Sequence, residues 1–494
     1  TSVLQHNLVN AFMLIFGIYL MDFFLKQNKV RCLVRACMAL VVASLPSVLS
    51  ISITQYFIEL PVVLFLLLCL IILEKSLKVN KDHCFYFNHF VGYLFLGLAF
   101  HSYFNALFFL PGICLTYSID KNDLMRTVKT LLVAASAFLI PCSLYFAGYI
   151  KIISTFNGVS SLSSPYPVVF IFMICALVLY RSIVYRNRLL MPIILYSVLM
   201  LIIVALLGYY NDTFVKITDD LKVTGNDADF LQRLSRIFSE LGNLISNRTP
   251  EKLILQEQLN HRNYYLIVAI IPGFIAFILD CLYKKNIKTV QFRIFIQVIL
   301  FLVCIIPMAT RVHGQHYVPL FFVILLFCSL SLNVMLDQFA SIKTGLISAK
   351  LGMCILLVLT CFTVSNNLSN RYRFIDQIFK TNGRGYYTNQ VNVLADNALR
   401  NFYEGKNELY VFPQWGLTAP FCYLTNDRIR FISYDDKNVI HNFSKDGYTV
   451  KILLWNDEHI SENIEKYQRQ YHVTNQSFYK SHGEPVLVEL TVEN

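Results

Sequence analysis

The chain has 494 residues, of which 56% are hydrophobic and 15% are charged, and its formal net charge is +11. A soluble globular protein has roughly 25% charged residues and about 45–50% apolar ones. The composition therefore excludes an ordinary soluble enzyme, a disordered chain and a small disulfide-rich secreted module. Apolar runs close to the roughly 20 residues that cross a bilayer recur along most of the chain, which predicts a polytopic membrane protein.

Neither the excess of basic residues nor the 13 cysteines indicate a nucleic-acid-binding, disulfide-rich or zinc-binding protein. Basic residues are not interleaved with stacking aromatics in a stripe, so no nucleic-acid partner is expected. The cysteines lie mostly inside apolar runs, where they behave as small hydrophobic residues. Since no CxxC or Cys/His ligand spacing occurs, neither a disulfide framework nor a zinc site is predicted.

The apolar runs predict a mainly α-helical polytopic membrane protein with about 12 spans. For the pair around His101–Asn105, one bent segment is the alternative to two spans. The predicted spans cover residues 8–25, 32–50, 60–74, 86–100, 104–118, 128–149, 166–182, 189–208, 264–282, 292–309, 317–334 and 350–366.

The distribution of lysine and arginine predicts the orientation of the spans. One set of alternate loops holds 18 of these residues, whereas the short loops of the other set hold only Lys151 and Arg311. Because cytoplasmic loops carry the excess of basic residues, the first set is placed in the cytoplasm. Two long polar regions, 209–262 and 368–494, then fall on the outer side.

The sequence predicts two domains. Residues 1–367 form a transmembrane domain that includes the outer loop 209–262, and residues 368–494 form a soluble outer-side α/β domain. The strands predicted in this second domain are Glu408–Phe412, Arg428–Ser433, Tyr448–Trp455 and Pro485–Val492, and the main helix between them is Glu458–Gln470.

Four segments, taken in order with the topology, resemble a known family. Residues 43–73 are similar to a helix, an outer turn with an acid before proline, and a second helix; residues 96–111 are similar to a tight helical hairpin. Residues 311–319 (RVHGQHYVP) are similar to a late outer loop, and residues 411–424 to a Trp-Gly element of a soluble domain. Together they resemble the GT-C superfamily of membrane glycosyltransferases, which includes the protein O-mannosyltransferases and the lipid A aminoarabinose transferase.

This resemblance implies transfer of a sugar from a polyprenyl-phosphate-linked donor to a glycan, lipid or protein acceptor on the outer face. The partners implied are that donor, the bilayer and the acceptor, and the location implied is a bacterial inner membrane with the C-terminal domain in the periplasm. The family's catalytic base is an acid in the first outer loop. No segment here matches that loop, so the main base is expected upstream of Thr1.

Glu59 is the candidate catalytic residue within the chain, as a supporting acid. It is the only acid in the predicted outer loop Ser50–Leu60 and stands directly before an apolar run. Ionisable groups at such positions are costly and are commonly functional. The alternative is a glutamate solvated at the headgroup level.

Arg311, His313, His316 and Tyr317 are the main candidate substrate-binding residues. Arginine provides a permanent charge suited to phosphate, and histidine donates a hydrogen bond or a proton. The alternative is a snorkelling arginine with interfacial aromatic residues. No acid nearby completes a metal-ligand set with the two histidines, so no metal site is predicted.

Two further substrate-binding candidates are His101, in the polar break with Tyr103 and Asn105, and Lys151, the lone cation of its outer loop. A turn held by side-chain hydrogen bonds and a plain surface lysine are the alternatives. Trp415 either stacks on a sugar or packs in the core. No cofactor is predicted; a divalent metal has no support in the sequence.

Two other functions stay open at this point. One is an O-antigen polymerase or ligase, and the other is a lipid or glycan transporter without transferase activity. A transporter would show internal repeats and midplane charges; no repeat is evident in the sequence, and the charges inside the predicted spans are Arg35 and, at span ends, Asp22 and Asp280.

Overall fold

The computed structural model describes two units and is mostly helical. The first unit comprises residues 1–246 and 262–368, and the second comprises residues 247–261 and 369–494. The residues described are 3–45, 59–120, 122–156, 230–245, 264–283, 290–306, 314–341, 345–381, 388–414, 416–426, 428–433, 435–457 and 459–492.

Helices make up the described part of the first unit, and the residues of the last one from Ser369 onward belong to the second unit. Their bounds are α1 Val3–Gln27, α2 Cys32–Ser44, α3 Glu59–Ser76, α4 Asp82–Ser102, α5 Leu110–Ile113, α6 Leu124–Phe156, α7 Phe230–Ile245, α8 Tyr264–Tyr283, α9 Val290–Ile305, α10 Val318–Ser341 and α11 Gly345–Thr381. A 3-10 helix at Phe104–Phe109 precedes α5, a π-helical turn at Cys114–Ser118 follows it, and a second 3-10 helix at Gly314–Tyr317 precedes α10.

Four of these helices are long and apolar enough to cross a membrane: Leu8–Gln27, Leu124–Cys142, Val318–Asp337 and Lys350–Thr381. Shorter apolar helices occupy several of the other predicted spans. The chain is thus an integral membrane protein, while the count of twelve spans stays a prediction. The predicted spans 166–182 and 189–208 lie outside the described residues.

Helix α10 lies at the centre of the first unit. In the most apolar stretch of α10, 83% of the residues are buried, whereas only 22% are buried in the corresponding stretch of α11. Helix α8 approaches α10 closely, because a Cβ at Gly273 would lie 2.9 Å from the Cα of Cys328. Small residues permit such close approach between membrane helices.

Two predicted boundaries differ from the structure. The predicted span 104–118 is not a regular α-helix but a 3-10, α and π-helical succession, which accommodates Pro111. Helix α11 runs on to Thr381, past the predicted end of the last span at residue 366. Its polar C-terminal third contains no glycine or proline, so the loss of hydrophobicity does not end the helix.

A five-stranded mixed sheet forms the centre of the second unit and confirms the predicted small C-terminal sheet. Its strands are β1 Glu408–Val411, β2 Phe431–Ile432, β3 Thr449–Trp455, β4 Val473–Ser481 and β5 Glu484–Val492, in the order β2-β1-β3-β5-β4. The β2-β1 and β1-β3 pairs are parallel, and the pairs that include β5 are antiparallel. The accompanying helices are α12 Gln390–Tyr403, α13 Thr418–Thr425, α14 Lys437–Lys445 and α15 Ile460–Gln470.

Each face of this sheet has its own apolar core. Leu394 of α12 and Phe421 of α13 pack with Leu453 and Trp455 on one face. Ile440 of α14 and Tyr467 of α15 pack with Ile452 and Leu490 on the other. Successive side chains of β3 point to opposite faces because a strand has a period of two residues, so Ile452 lies in one core and Leu453 in the other. The sheet therefore lies between two helical layers.

Candidate functional site

Glu59 is the first residue of α3 and is buried, with 4% of its surface exposed. The residues after it explain why a helix begins here. Pro61 is tolerated in a first turn, because the amide hydrogens there have no intrahelical acceptor. A carboxylate in the first turn also interacts favourably with the positive end of the helix dipole. Glu59 is therefore held at the helix start rather than in a solvated loop.

His316 lies in the 3-10 helix that leads into α10, where Pro319 occupies the first turn. Its Nδ1 is 2.9 Å from a carboxylate oxygen of Glu59, although the two residues are 257 positions apart. An Nδ1–H that donates to a carboxylate fixes the orientation of the ring and leaves Nε2 for a second partner. Two residues that the sequence singled out separately thus form one pair.

Tyr103 and Asn105 also contact this histidine. The Tyr103 ring stacks on the His316 ring with centroids 5.0 Å apart, and its hydroxyl is 3.4 Å from Nε2. The buried Asn105 side chain donates from Nδ2 to the His316 carbonyl oxygen at 2.8 Å. Within the described residues, the Oδ1 atom of Asn105 has no hydrogen-bond partner.

Tyr317 follows His316 and is fully buried at the start of α10. Its hydroxyl has no hydrogen-bond partner in the part of the chain that the structure describes. Helix α7 packs against the same 3-10 helix. It brings the charges of Arg236 and Glu240 close to the Tyr317 hydroxyl.

The site joins the N-terminal ends of two packed helices, α3 and α10. Amide hydrogens at a helix N-terminus lack intrahelical acceptors and the dipole is positive there, so the arrangement favours negative charge. The Glu59 carboxylate supplies one negative charge at these helix ends, and the His316 imidazole lies beside it. The site therefore combines a fixed carboxylate, an oriented imidazole and two helix ends that favour an anion.

The other predicted site residues are placed as follows. His101 lies in the exposed last turn of α4. Lys151 lies in α6, and its side chain is outside the described residues, as are Arg311, His313 and Trp415. The structure thus brings Glu59 and His316 together, with Tyr317 adjacent, and the roles of all the predicted residues stay predictions.

The described residues contain no group of three or more His, Cys, Asp and Glu side chains that could hold a metal ion. The expectation of no metal and no cofactor stays a prediction.

A second polar cluster was not predicted from the sequence. The Arg293 guanidinium at the start of α9 donates to both carboxylate oxygens of Glu74 at the end of α3, at 2.9 and 2.8 Å. The Tyr117 hydroxyl donates to the same carboxylate at 2.7 Å. Glu74 has no exposed surface, so its carboxylate is desolvated and depends on these hydrogen bonds.

No family model matches the chain, and no curated protein matches it. Among solved structures, the chain is similar to apo ArnT from Cupriavidus metallidurans, with a TM-score of 0.46 and 9% identity over 98% of this chain and 83% of that one. It is also similar to that protein bound to undecaprenyl phosphate, with a TM-score of 0.38 and 10% identity over 98% and 84% of the two chains.

ArnT is a lipid A aminoarabinose transferase, a GT-C enzyme. At this level of similarity no residue role passes from one chain to the other.

Proposed function

We propose that this protein is a membrane glycosyltransferase of the GT-C type that uses a polyprenyl-phosphate-linked sugar as its donor. The observation that carries the proposal is the pair formed by the buried Glu59 and the partly buried His316 at the N-terminal ends of α3 and α10. A buried carboxylate within an apolar bundle is costly to maintain, which favours a functional role.

The chemistry of the pair suits a lipid-phosphate donor. When the sugar leaves the carrier, negative charge remains on the phosphate and is stabilised by hydrogen-bond donors and cations. His316, oriented by Glu59, presents Nε2 to a phosphate oxygen. The Tyr103 hydroxyl is 3.4 Å from Nε2, a contact longer than an ordinary hydrogen bond.

The remaining predicted residues have supporting roles in this proposal. Glu59 is the supporting acid that orients His316. Arg311 binds the departing phosphate, and His313, Tyr317, His101 and Lys151 line the substrate-binding region. The acceptor is a cell-surface glycan, lipid or protein on the outer face, the location is a bacterial inner membrane, and residues 368–494 are periplasmic.

The proposal is tested by a transfer assay in proteoliposomes. The purified full-length protein is reconstituted with undecaprenyl-phosphate-linked sugars, and release of undecaprenyl phosphate is followed with candidate acceptors. Cleavage of the sugar–phosphate bond by the wild-type protein supports transfer. Movement of the intact lipid-linked sugar without cleavage would instead support a transporter, and transfer of whole oligosaccharides would support a polymerase or ligase.

A binding measurement separates recognition of the phosphate from catalysis. Undecaprenyl phosphate and undecaprenol differ only by the phosphate, so the difference in their binding, measured by native mass spectrometry, reports phosphate recognition. We expect the phosphate-bearing lipid to bind better, and His316→Ala to reduce that preference about tenfold. Equal binding of the two lipids to the wild-type protein would contradict the proposal.

A further inference from the structure

Helix α7 has a polar side that lines a cavity of about 630 Å³. This volume lies within the range of about 300–1,000 Å³ that is typical of small-molecule sites. Ile237, Leu241 and Leu244, on the other side of the helix, belong to the apolar core of the first unit. Most of the described residues that line the cavity are polar, namely Gln232, Ser235, Arg236, Ser239 and Glu240. The wall that α7 contributes is therefore suited to a polar ligand.

Two buried polar atoms close to this cavity have no hydrogen-bond partner among the described residues. They are Nε of Arg236 and the hydroxyl of Tyr317. Helix α7 packs against the 3-10 helix that ends in Tyr317, and both Arg236 and Glu240 lie close to the Tyr317 hydroxyl. A buried polar group without a partner is destabilising, and native proteins pair most such groups. The two atoms therefore favour a region that meets the polar groups of a ligand.

The side chains that α7 presents to the cavity offer hydrogen-bond donors and acceptors together. Arg236 provides only donors, Glu240 provides only acceptors, and the two serine hydroxyls and the Gln232 amide provide both. Because the charges of Arg236 and Glu240 cancel, this side has no net charge that attracts an anion. A phosphate group would be matched by donors alone, and an acyl chain by an apolar surface. A carbohydrate matches the mixture, since each of its hydroxyls both donates and accepts hydrogen bonds.

We propose that the polar side of α7 binds a carbohydrate, with Arg236 and Glu240 as the residues that contact it. Glu240 accepts hydrogen bonds from sugar hydroxyls, and the guanidinium of Arg236 donates to them. Because α7 packs against the 3-10 helix that contains His316, the carbohydrate is held near the Glu59–His316 pair. This role rests on the proposed glycosyl transfer and adds the substrate group that α7 recognises. That group is the sugar of the lipid-linked donor or a carbohydrate acceptor.

Binding of lipid-linked sugars to the full-length protein tests this role. Native mass spectrometry compares undecaprenyl phosphate with a panel of undecaprenyl-phosphate-linked hexoses and pentoses, so the difference reports recognition of the sugar. The variants are Arg236→Met and Glu240→Gln, and Arg233→Met is the matched control. Arg233 carries the same charge on the same helix but is not among the described residues that line the cavity.

We expect the wild-type protein to bind at least one sugar-bearing lipid better than undecaprenyl phosphate. Arg236→Met and Glu240→Gln should each reduce this preference about tenfold, because each removes a charge-assisted hydrogen bond, and Arg233→Met should leave it unchanged. An array of free bacterial oligosaccharides, tested with the same variants, separates the two sources. A loss confined to the lipid-linked sugars assigns the donor sugar, and a loss on the array assigns a carbohydrate acceptor.

Three results would overturn this role. The wild-type protein could bind no sugar in either panel, or the variants could keep the full wild-type preference. Arg236→Met could also weaken undecaprenyl phosphate and the lipid-linked sugars equally, which would assign α7 to the phosphate instead. Ser235→Ala combined with Ser239→Ala keeps the test valid if the charged variants fold poorly, since both serines are exposed and alanine favours a helix. This double variant should lower the sugar preference about threefold.

Sugar transfer is measured separately in the proteoliposome assay, so that binding by α7 and catalysis are distinguished. Cleavage of a lipid-linked sugar, with the sugar preference unchanged in every α7 variant, would overturn carbohydrate binding by α7 and leave glycosyl transfer supported. A sugar preference that depends on Arg236 and Glu240, without cleavage, would support carbohydrate binding by α7 and contradict glycosyl transfer.

Discussion

The Glu59 carboxylate and the His316 imidazole meet at 2.9 Å where two packed helices begin. Both residues precede a proline in the first turn of a helix, Pro61 in one case and Pro319 in the other. Each helix start is therefore fixed by its own local sequence, and the packing of α3 on α10 brings the two side chains together. The geometry of the pair depends on that packing and not on a flexible loop.

Replacing Glu59 with glutamine removes the negative charge that orients His316 and retains the size of the side chain. We expect the rate of sugar transfer to fall about tenfold or more, because the imidazole loses its charged partner. The assay is the proteoliposome reaction, and Glu462→Gln, at an exposed position in α15, is the matched control. If the two residues act as a unit, Glu59→Gln with His316→Ala will be no slower than the slower single variant. A rate near that of the wild type would exclude Glu59 from the mechanism.

Asn105 anchors the backbone of His316 rather than its ring. Asn105→Leu removes the hydrogen bond that Asn105 Nδ2 donates to the His316 carbonyl oxygen at 2.8 Å. We expect a loss of about 0.5–1.5 kcal/mol in the free energy of unfolding, measured by denaturation in detergent. Asn438→Leu, at an exposed position in α14, should change stability much less. Similar losses for both variants would show that the hydrogen bond is not the cause.

The candidate site shows what the sequence could predict and what it could not. Glu59 and His316 were recognisable because each is a polar residue at the edge of an apolar run. Their pairing was not, since 257 positions separate them and only tertiary packing joins them. Glu74 and Arg293 also lie at the ends of apolar runs. They looked like ordinary loop charges in the sequence, because nothing local indicates that each is the partner of the other.

In the C-terminal sheet, one of the five strands could not be predicted from the sequence. Its four predicted strands are apolar enough to be found, whereas β4 (Val473–Ser481) is an edge strand with mostly exposed side chains and no clear apolar alternation. Its hairpin turn is His482-Gly483, with φ of 50° and 88° at the two residues. Positive φ at both positions matches a type I′ turn, for which Asn-Gly is the usual sequence, so His-Gly gives a weak signal.

The Glu74–Arg293 pair should stabilise the protein only as a pair. Arg293→Met leaves the buried Glu74 carboxylate with the Tyr117 hydroxyl alone, and we expect a loss of about 3–5 kcal/mol in the free energy of unfolding. The double variant Glu74→Leu with Arg293→Met removes both charges and should lose clearly less. Denaturation in detergent measures both variants. A double variant less stable than Arg293→Met would contradict this account.

Asp435 should control the ionisation of Tyr471 in the second unit. Its carboxylate accepts hydrogen bonds from Tyr467 at 3.0 Å and Tyr471 at 3.5 Å and pairs with Lys466 at 2.8 Å. Partial burial, and then the negative charge of Asp435, raises the pKa of Tyr471 to about 12. The folded state therefore favours the neutral phenol, compared with a pKa of about 10 for a free tyrosine.

The sign of the pH dependence follows from this raised pKa. The contribution of Tyr471 to stability is complete below about pH 10 and is lost as the pH rises towards about 12. Asp435→Asn removes the charge that opposes the phenolate, so the pKa of Tyr471 should fall. Alkaline titration of the phenolate absorbance measures this, with Tyr471→Phe, alone and combined with Asp435→Asn, subtracted to isolate Tyr471 from the other tyrosines. An unchanged or higher pKa in Asp435→Asn would show that burial alone sets the value.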